Sequence, residues 1–367
     1  MRPTPPKADE LEVSLIGPGR GECVIIHLGD NEWCVVDSCI PPGISQSAAV
    51  QYLREIGNGA LEGVRLVVST HWHDDHVRGL ASVLKESPNA YFACSAALGT
   101  DTFLTLVELG RATIQGRSGV DEFSSIFQLL QERVPRGTSK RYASPKLAIQ
   151  NRKLLDLRGG LRPFPATITA LSPSDGTVRI ALTDFAKLIP KAGEPQRRIT
   201  SQEPNRTSVA LWVQVGERRA LLGADLEHTG QAGEGWFAVL ESHADSAVAE
   251  VFKVPHHGSA NADCPQVWER MLAENPVSML SPFNSGRRLP LESDLKRLKS
   301  RTANLFCTAA GSGRPPSRGP LVDKAMRRIA ADRRIVDGKP GHVRVRWSLS
   351  DTKASPVVEL YNGAYQV

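Results

Sequence analysis

An α/β sandwich is the fold class this sequence predicts, and three observations predict it. Short β-branched runs fall into two blocks, one over residues 11–93 and one over residues 166–361. Segments with helical spacing lie between and around those runs. Both blocks lead into clusters of His and Asp, so two sheets with helices outside would meet at one polar site.

The first ten residues, with Pro3, Pro5 and Pro6, read as a flexible start, and residues 11–367 as a single domain. Residues 11–16 and 23–28 are strands around Gly17-Pro18-Gly19-Arg20-Gly21, and residues 33–37 are a third, closed by Pro41-Pro42-Gly43. The glycine-rich stretch lacks the Lys-Ser/Thr ending of a phosphate loop and no helical pattern follows it, so it reads as a tight connection. Ala49, Leu53 and Ile56 mark a helix over 46–55. A strand over 64–70, a helix over 77–85 and a short strand at 91–93 follow. Residues 96–160 read as a helical insertion, with Phe123, Ile126, Phe127 and Leu130 on one face of a helix over 123–133. Strand signals resume at 166–171, and 193–204 is a polar loop. Residues 208–215 and 219–223 form a hairpin around Gly216-Glu217. The last third gives strands at 248–254, 277–281, 304–308, 341–349 and 357–361, with helices over 293–301 and 321–332.

The chemistry is concentrated in His71-Trp72-His73-Asp74-Asp75-His76, directly behind the strand at 64–70. Six adjacent polar positions would leave many donors and lone pairs to satisfy if buried, and a solvated loop has no use for three imidazoles. At a strand end, residues i and i+2 point to one side, so His71 and His73 can converge on one ion while Asp75 and His76 face a second. Imidazole with carboxylate suits Zn, Mn or Fe rather than Ca or Mg. Asp225 follows a strand through the small turn Gly223-Ala224, between the two His clusters, where a carboxylate bridging two ions would stand; a turn or cap aspartate is the plain alternative. His256-His257 lie behind an apolar strand and ahead of Gly258-Ser259. His27, His228, His243 and His342 stand alone and read as ordinary core or surface residues.

The bulk properties frame that site. A chain of 367 residues with 41% hydrophobic and 23% charged residues is an ordinary globular chain. No apolar run reaches the ~20 residues of a membrane span, and the polar, proline-rich start does not read as a signal peptide. Six scattered cysteines without a CxxC pair read as reduced, mostly buried thiols of a cytoplasmic protein. A net charge of +6, with basic pairs at Arg287-Arg288, Arg327-Arg328 and Arg333-Arg334, is compatible with an anionic substrate and equally with solvated helix faces.

His-x-His-x-Asp-His after a strand, a later Gly-x-Asp and a final His resemble the signature of the metallo-β-lactamase fold superfamily. The fuller pattern is similar to one branch, the hydrolase-like domain of the competence DNA-uptake channel protein ComEC and its free-standing relatives. The residues that carry it are Val36-Asp37-Ser38, His71 to His76 with Gly79, Asn205-Arg206-Thr207-Ser208, Leu222-Gly223-Ala224-Asp225 and Val254-Pro255-His256-His257-Gly258-Ser259. The resemblance implies a four-layer αββα sandwich with two divalent ions, Zn or Mn, at one edge. It implies that His71 and His73 hold the first ion, Asp75 and His76 the second, and that Asp225 bridges them. Most superfamily members place another first-ion His roughly where Asn205 lies, so Asn205 would ligate weakly or hold a water and the site would favour a harder ion. One of His256 and His257 completes the second site. The sequence does not separate them; His257 is taken as the ligand and His256 as the proton donor. Leu289 stands where the branch often has a His.

Such a site would present hydroxide at neutral pH, with Asp75 orienting it, His256 acting as general acid, and Ser259 and Asn261 holding a phosphoryl oxygen, though turn chemistry explains those two equally well. No Gly-x-Ser-x-Gly elbow and no Cys beside a His offers a covalent nucleophile. The leading expectation is a metal-dependent phosphodiesterase or nuclease acting on an anionic phosphodiester, a nucleic acid or nucleotide among the candidates. The alternatives are a hydrolase of lactams, lactones or thioesters, and a non-catalytic binding protein on the same fold.

Overall fold

The computed structural model describes residues 3–105, 107, 119–133, 144–159, 162–189, 204–243, 247–285, 288–309, 319–329, 339–351 and 353–367. Its strands are β1 (Glu10–Gly17), β2 (Cys23–Leu28), β3 (Trp33–Val36), β4 (Val64–Ser69), β5 (Tyr91–Ser95), β6 (Lys146–Ala148), β7 (Arg152–Leu157) and β8 (Ala166–Ala170). Then come β9 (Leu211–Val215), β10 (Arg218–Leu222), β11 (Ala249–Lys253), β12 (Leu272–Leu280), β13 (Leu305–Cys307), β14 (Gly341–Ser348), β15 (Val357–Tyr361) and β16 (Tyr365–Gln366). They form two eight-stranded sheets, ordered β15-β14-β1-β2-β3-β4-β5-β6 and β16-β13-β12-β11-β10-β9-β8-β7. The helices are α1 (Ala48–Ile56), α2 (Asp74–Val77), α3 (Leu80–Glu86), α4 (Gly119–Glu132), α5 (Asp175–Leu188), α6 (Gly235–Ser242), α7 (Pro265–Arg270), α8 (Glu292–Lys299) and α9 (Pro320–Ile329).

Strand alternation builds the layers. Ile26, Val36 and Val68 face Ile168, Val213 and Val251 in a core between the sheets. Their neighbours Ile25, Val35 and Val67 point the other way, into Leu53 of α1, Leu84 of α3 and Phe123 of α4. On the outer face of the second sheet, Trp212, Leu221 and Phe252 pack with Trp236 and Val239 of α6, Val267 of α7 and Leu298 of α8. Strands buried on both faces read as continuous apolar runs, and the result is the predicted α/β sandwich in four layers.

β4 runs parallel to β3 and β5, and β11 runs parallel to β10 and β12. The carboxyl ends of these strands deliver the polar loops to one edge, the usual place for a ligand in such sheets.

The helical reading of residues 96–160 needs correction. β6 closes the first sheet beside β5, and β7 opens the second beside β8. β6 has only three residues, and β7 exposes Arg152 and Lys153 with a bulge before Leu155, so neither alternates cleanly. Residues 108–118, 134–143 and most of the expected 193–204 loop lie outside the described residues. The helix expected over 77–85 is two helices, broken at Gly79, whose φ of +86° suits glycine. α5 gave no clear signal, because Thr177, Ala181 and Phe185 make a narrow buried stripe. Ser174 nonetheless caps it by accepting from Thr177 N at 3.2 Å.

Candidate metal centre

Two groups of ligand atoms converge where the two sheets meet. His71, His73 and Asp225 offer atoms within 4.8 Å of one another, and so do Asp75, His76 and His257. Asp225 Oδ2 lies between the groups, 3.9 Å from His71 Nε2, 3.4 Å from His76 Nε2 and 3.7 Å from His257 Nε2. Asp75 Oδ2 is 3.8 Å from His76 Nε2 and 3.4 Å from His257 Nε2. His76 Nε2 and Asp225 Oδ1 are buried without a hydrogen-bond partner among the described residues. An orphaned nitrogen and an orphaned carboxylate oxygen among convergent ligand atoms are a costly arrangement that divalent cations would satisfy, so these residues fit a pair of ions.

The sequence did not reveal what aims these groups. Asp37, at the end of β3 with φ +60°, accepts from Thr70 N at 2.8 Å, Thr70 Oγ1 at 2.7 Å and His76 Nδ1 at 2.8 Å. The Thr70 hydroxyl, already donating to Asp37, accepts from His71 Nδ1 at 2.9 Å. His257 Nδ1 donates to Ser281 O at 2.9 Å. Three imidazoles thus hold their protons on Nδ1 and present Nε2 inward, the orientation that backing acceptors impose on metal-binding His. In the sequence Asp37 was only part of a resemblance motif, without a role.

A second hidden pair is Glu22 and Lys253, 2% and 1% exposed. Lys253 Nζ pairs with Glu22, donates to Ala224 O at 2.9 Å and stands 3.9 Å from Asp225 Oδ1. Ala224 has φ +46°, so the lysine clasps the left-handed turn that projects Asp225. Glu22 N also donates to Asp75 O at 3.0 Å. A Cβ at Gly21 would come within 2.9 Å of that same oxygen, which explains the glycine there.

The two groups differ in protonation. Burial, with His76 adding to it, pushes His71 well below the usual imidazole value, and burial also lowers His73. Burial opposes the charged form of His76 and His257 too, but Asp225 and Asp75 outweigh it and raise both. Burial works against ionising Asp75 and Asp225, yet His76 and His257 hold both below the ordinary carboxylate range.

His256 and His257 both have positive φ, 46° and 53°, and the turn sends their rings apart, with centroids 6.2 Å from each other. His257 joins Asp75 and His76. His256 instead donates from Nδ1 to Asn261 Oδ1 at 3.0 Å and accepts from Asn205 Nδ2 at 3.2 Å. Asn205 Nδ2 also meets Glu227 Oε1 at 3.1 Å, and its buried Oδ1 has no partner among the described residues. Glu227 carried no sequence signal. Ser259, Asn261 and His256 line a cleft of about 760 Å³ that also reaches His73, Asp75 and Asp225. Among the solitary histidines, His27 bonds Glu10 O and His342 bonds Ser14, and neither lines this cleft.

Residues 16–180 match the family described as Metallo-beta-lactamase superfamily. The fold is the metallo-β-lactamase fold. Solved structures it is similar to include the metallo-β-lactamase SMB-1 bound to 2-mercaptoethanesulfonate, at 13% identity and TM-score 0.33, covering 69% of this chain and 79% of that one. Another is a Cronobacter sakazakii metallo-β-lactamase with a HARLDQ motif, at 13% identity and TM-score 0.30, over 63% and 67% of the two chains. The flavodiiron protein of Giardia intestinalis aligns at 14% identity and TM-score 0.26, over 58% of this chain and 38% of that one. A comparison with curated proteins finds no match. No described helix is long and apolar enough to cross a membrane.

Proposed function

We propose that this metallo-β-lactamase-fold chain is a phosphodiesterase that uses two divalent ions, Zn or Mn. The observation that carries the reading is Asp225 Oδ2, 3.4 to 3.9 Å from one imidazole of the first group and two of the second, at the floor of an open cleft. When bound, the ions would make water acidic enough to attack at neutral pH and would neutralise charge on a phosphoryl oxygen.

This chain's residues do the rest. Asp75 contributes a ligand oxygen and orients the attacking water. The water oxygen bonds to phosphorus and gives up a proton to solvent, the bond to the leaving oxygen breaks, and a proton taken up at His256 Nε2, in place of its bond from Asn205, passes to that oxygen. Asn205 and Asn261 hold the His256 ring from both sides, and Ser259 stands beside it on the cleft wall. The phosphodiester is favoured over a lactam, lactone or thioester by two things. One is Asn205, which the resemblance puts at the first site, where its amide oxygen, without a partner among the described residues, would give that site a harder character. The other is the resemblance to the ComEC branch, which makes a nucleic acid or nucleotide a candidate substrate. The six unpaired, buried cysteines support a cytoplasmic setting.

The test is elemental analysis of the purified chain, joined to a panel of DNA, RNA, a cyclic dinucleotide and bis(p-nitrophenyl) phosphate. Turnover with two ions bound is expected, and Asp75→Ala should abolish it. Two bound ions with no phosphodiester turnover, but turnover of a lactam, lactone or thioester, would move the assignment to a small-molecule hydrolase. Less than one ion per chain, with stability indifferent to chelation, would make it a binding protein.

A further inference from the structure

The cleft in front of the ligand cluster has two unlike walls. One carries His256, Ser259 and Asn261; the other is an apolar shelf of Phe283, Leu289 and Leu291. Phe283 N donates to Leu289 O at 2.8 Å and Leu289 N to Phe283 O at 2.9 Å, so the chain is pinched together and both side chains stand at the cleft. The Phe283 ring lies 5.3 Å from the His257 ring, tilted by 32°, and reaches the edge of the ligand cluster. Leu291 is 44% exposed, and its backbone N is fixed by Asp294 Oδ2 at 2.8 Å.

Leu289 is 8% exposed and anchors the shelf, while Phe283 and Leu291 belong to none of the three hydrophobic cores. Packing therefore does not account for the apolar surface that Phe283 and Leu291 present beside polar ligands. Burying it against a bound molecule would be favourable in proportion to the area covered. The charges of the wall point the same way. Arg297 is the one cation among the described residues lining the cleft. It is committed to Asp294 Oδ1 at 2.7 Å and to Gly258 O at 2.7 Å, where it braces the turn that carries His256 and His257. Binding of a long polyanion draws on a track of free Lys and Arg that these lining residues do not supply.

We propose that Phe283, Leu289 and Leu291 form a subsite for a flat apolar substituent of the substrate, so that the centre acts on compact phosphodiesters bearing an aromatic group rather than on extended strands. The subsite deepens the phosphodiesterase reading and rests on it for the scissile group. A nucleobase and a simple aryl ring share the required chemistry.

The decisive measurement is binding, which needs no turnover. Zinc-loaded full-length protein is titrated with phenylphosphonate, methylphosphonate, thymidine monophosphate and a 20-nucleotide oligothymidylate. Phenylphosphonate should bind about tenfold more tightly than methylphosphonate. Leu291→Ser should cut that ratio to about threefold or less with metal content at the wild-type value, which shows that the centre is intact. The 20-mer should bind no more tightly than the mononucleotide. Equal affinity for the two phosphonates, a ratio unmoved by Leu291→Ser, or a 20-mer about tenfold tighter than the mononucleotide would overturn the proposal. Thymidine monophosphate binding more tightly than phenylphosphonate assigns the subsite to a base; the reverse assigns it to a simple aryl group. Phenyl preference without hydrolysis of any diester would sink the phosphodiesterase reading and leave the subsite standing. Hydrolysis without phenyl preference would do the opposite.

Discussion

The two ligand groups share Asp225 but are built on different principles. Around His71 and His73 the imidazoles are held neutral, and the shared carboxylate is the group's only one. Around His76 and His257 two carboxylates, Asp75 and Asp225, draw protons onto the imidazoles, and Asp37 backs His76 directly. The second group has the larger negative charge and the stiffer support, so it should capture an ion first. The first is ready to ligate without losing a proton, but it has fewer charges.

The contrast can be broken most severely at Asp37. Asp37→Asn takes an acceptor from His76 and, through Thr70, from His71. Changes of this kind typically cost about 10–100-fold in metal affinity. Competition with a chromophoric chelator should show the larger loss for the tighter ion, since Asp37 touches His76 itself. Affinity within about twofold of wild type would mean that the hydrogen bonds to Asp37 do not orient the ligands.

Asn205→His sharpens the contrast from the other side. If position 205 reaches the first ion, as the resemblance implies, an imidazole there should tighten the weaker ion by about tenfold and leave the tighter one alone, narrowing the gap between two titration phases. If both phases stay where they were, Asn205 lies outside the reach of the first ion.

The smallest effect is on stability against pH. In chelated protein, His76 and His257 have raised pKa values, so their contribution is fully present below the ordinary 6.5 and is lost as pH rises through the folded values. Asp75 and Asp225 are depressed, so theirs is present above the ordinary 3.8 and is lost as pH falls through the folded values. Above 6.5 the lowered His71 and His73 are neutral whether folded or unfolded, so the melting temperature without metal should decline on the alkaline side as His76 and His257 lose their protons. With zinc present the alkaline decline should reverse, because metal binding releases the same protons. An identical slope with and without metal would show that these imidazoles do not titrate against the ion.

Much of this centre was legible because its chemistry is written contiguously. His71 to His76 occupy six consecutive positions behind an apolar strand, and Gly223-Ala224 and Gly258-Ser259 flag the turns that present Asp225 and His257. The supporting residues were not. Asp37 and Glu22 look like acidic residues at strand ends, and Lys253 like a solvated lysine closing a strand. Their roles exist only once the two sheets dock and exclude water. The layers were readable from alternation, whereas β6 was too short and β7 too exposed at its edge to declare itself.

Because Asp225 and His257 follow strands of one sheet and His71 to His76 follow a strand of the other, the centre is also a seam. A slip of the sandwich halves by more than about half an ångström would spoil the ligand geometry. The buried Glu22–Lys253 contact crosses that seam and acts as a dowel, holding the halves in register before any cation arrives. A cation captured there would tighten a joint that the polypeptide has already closed.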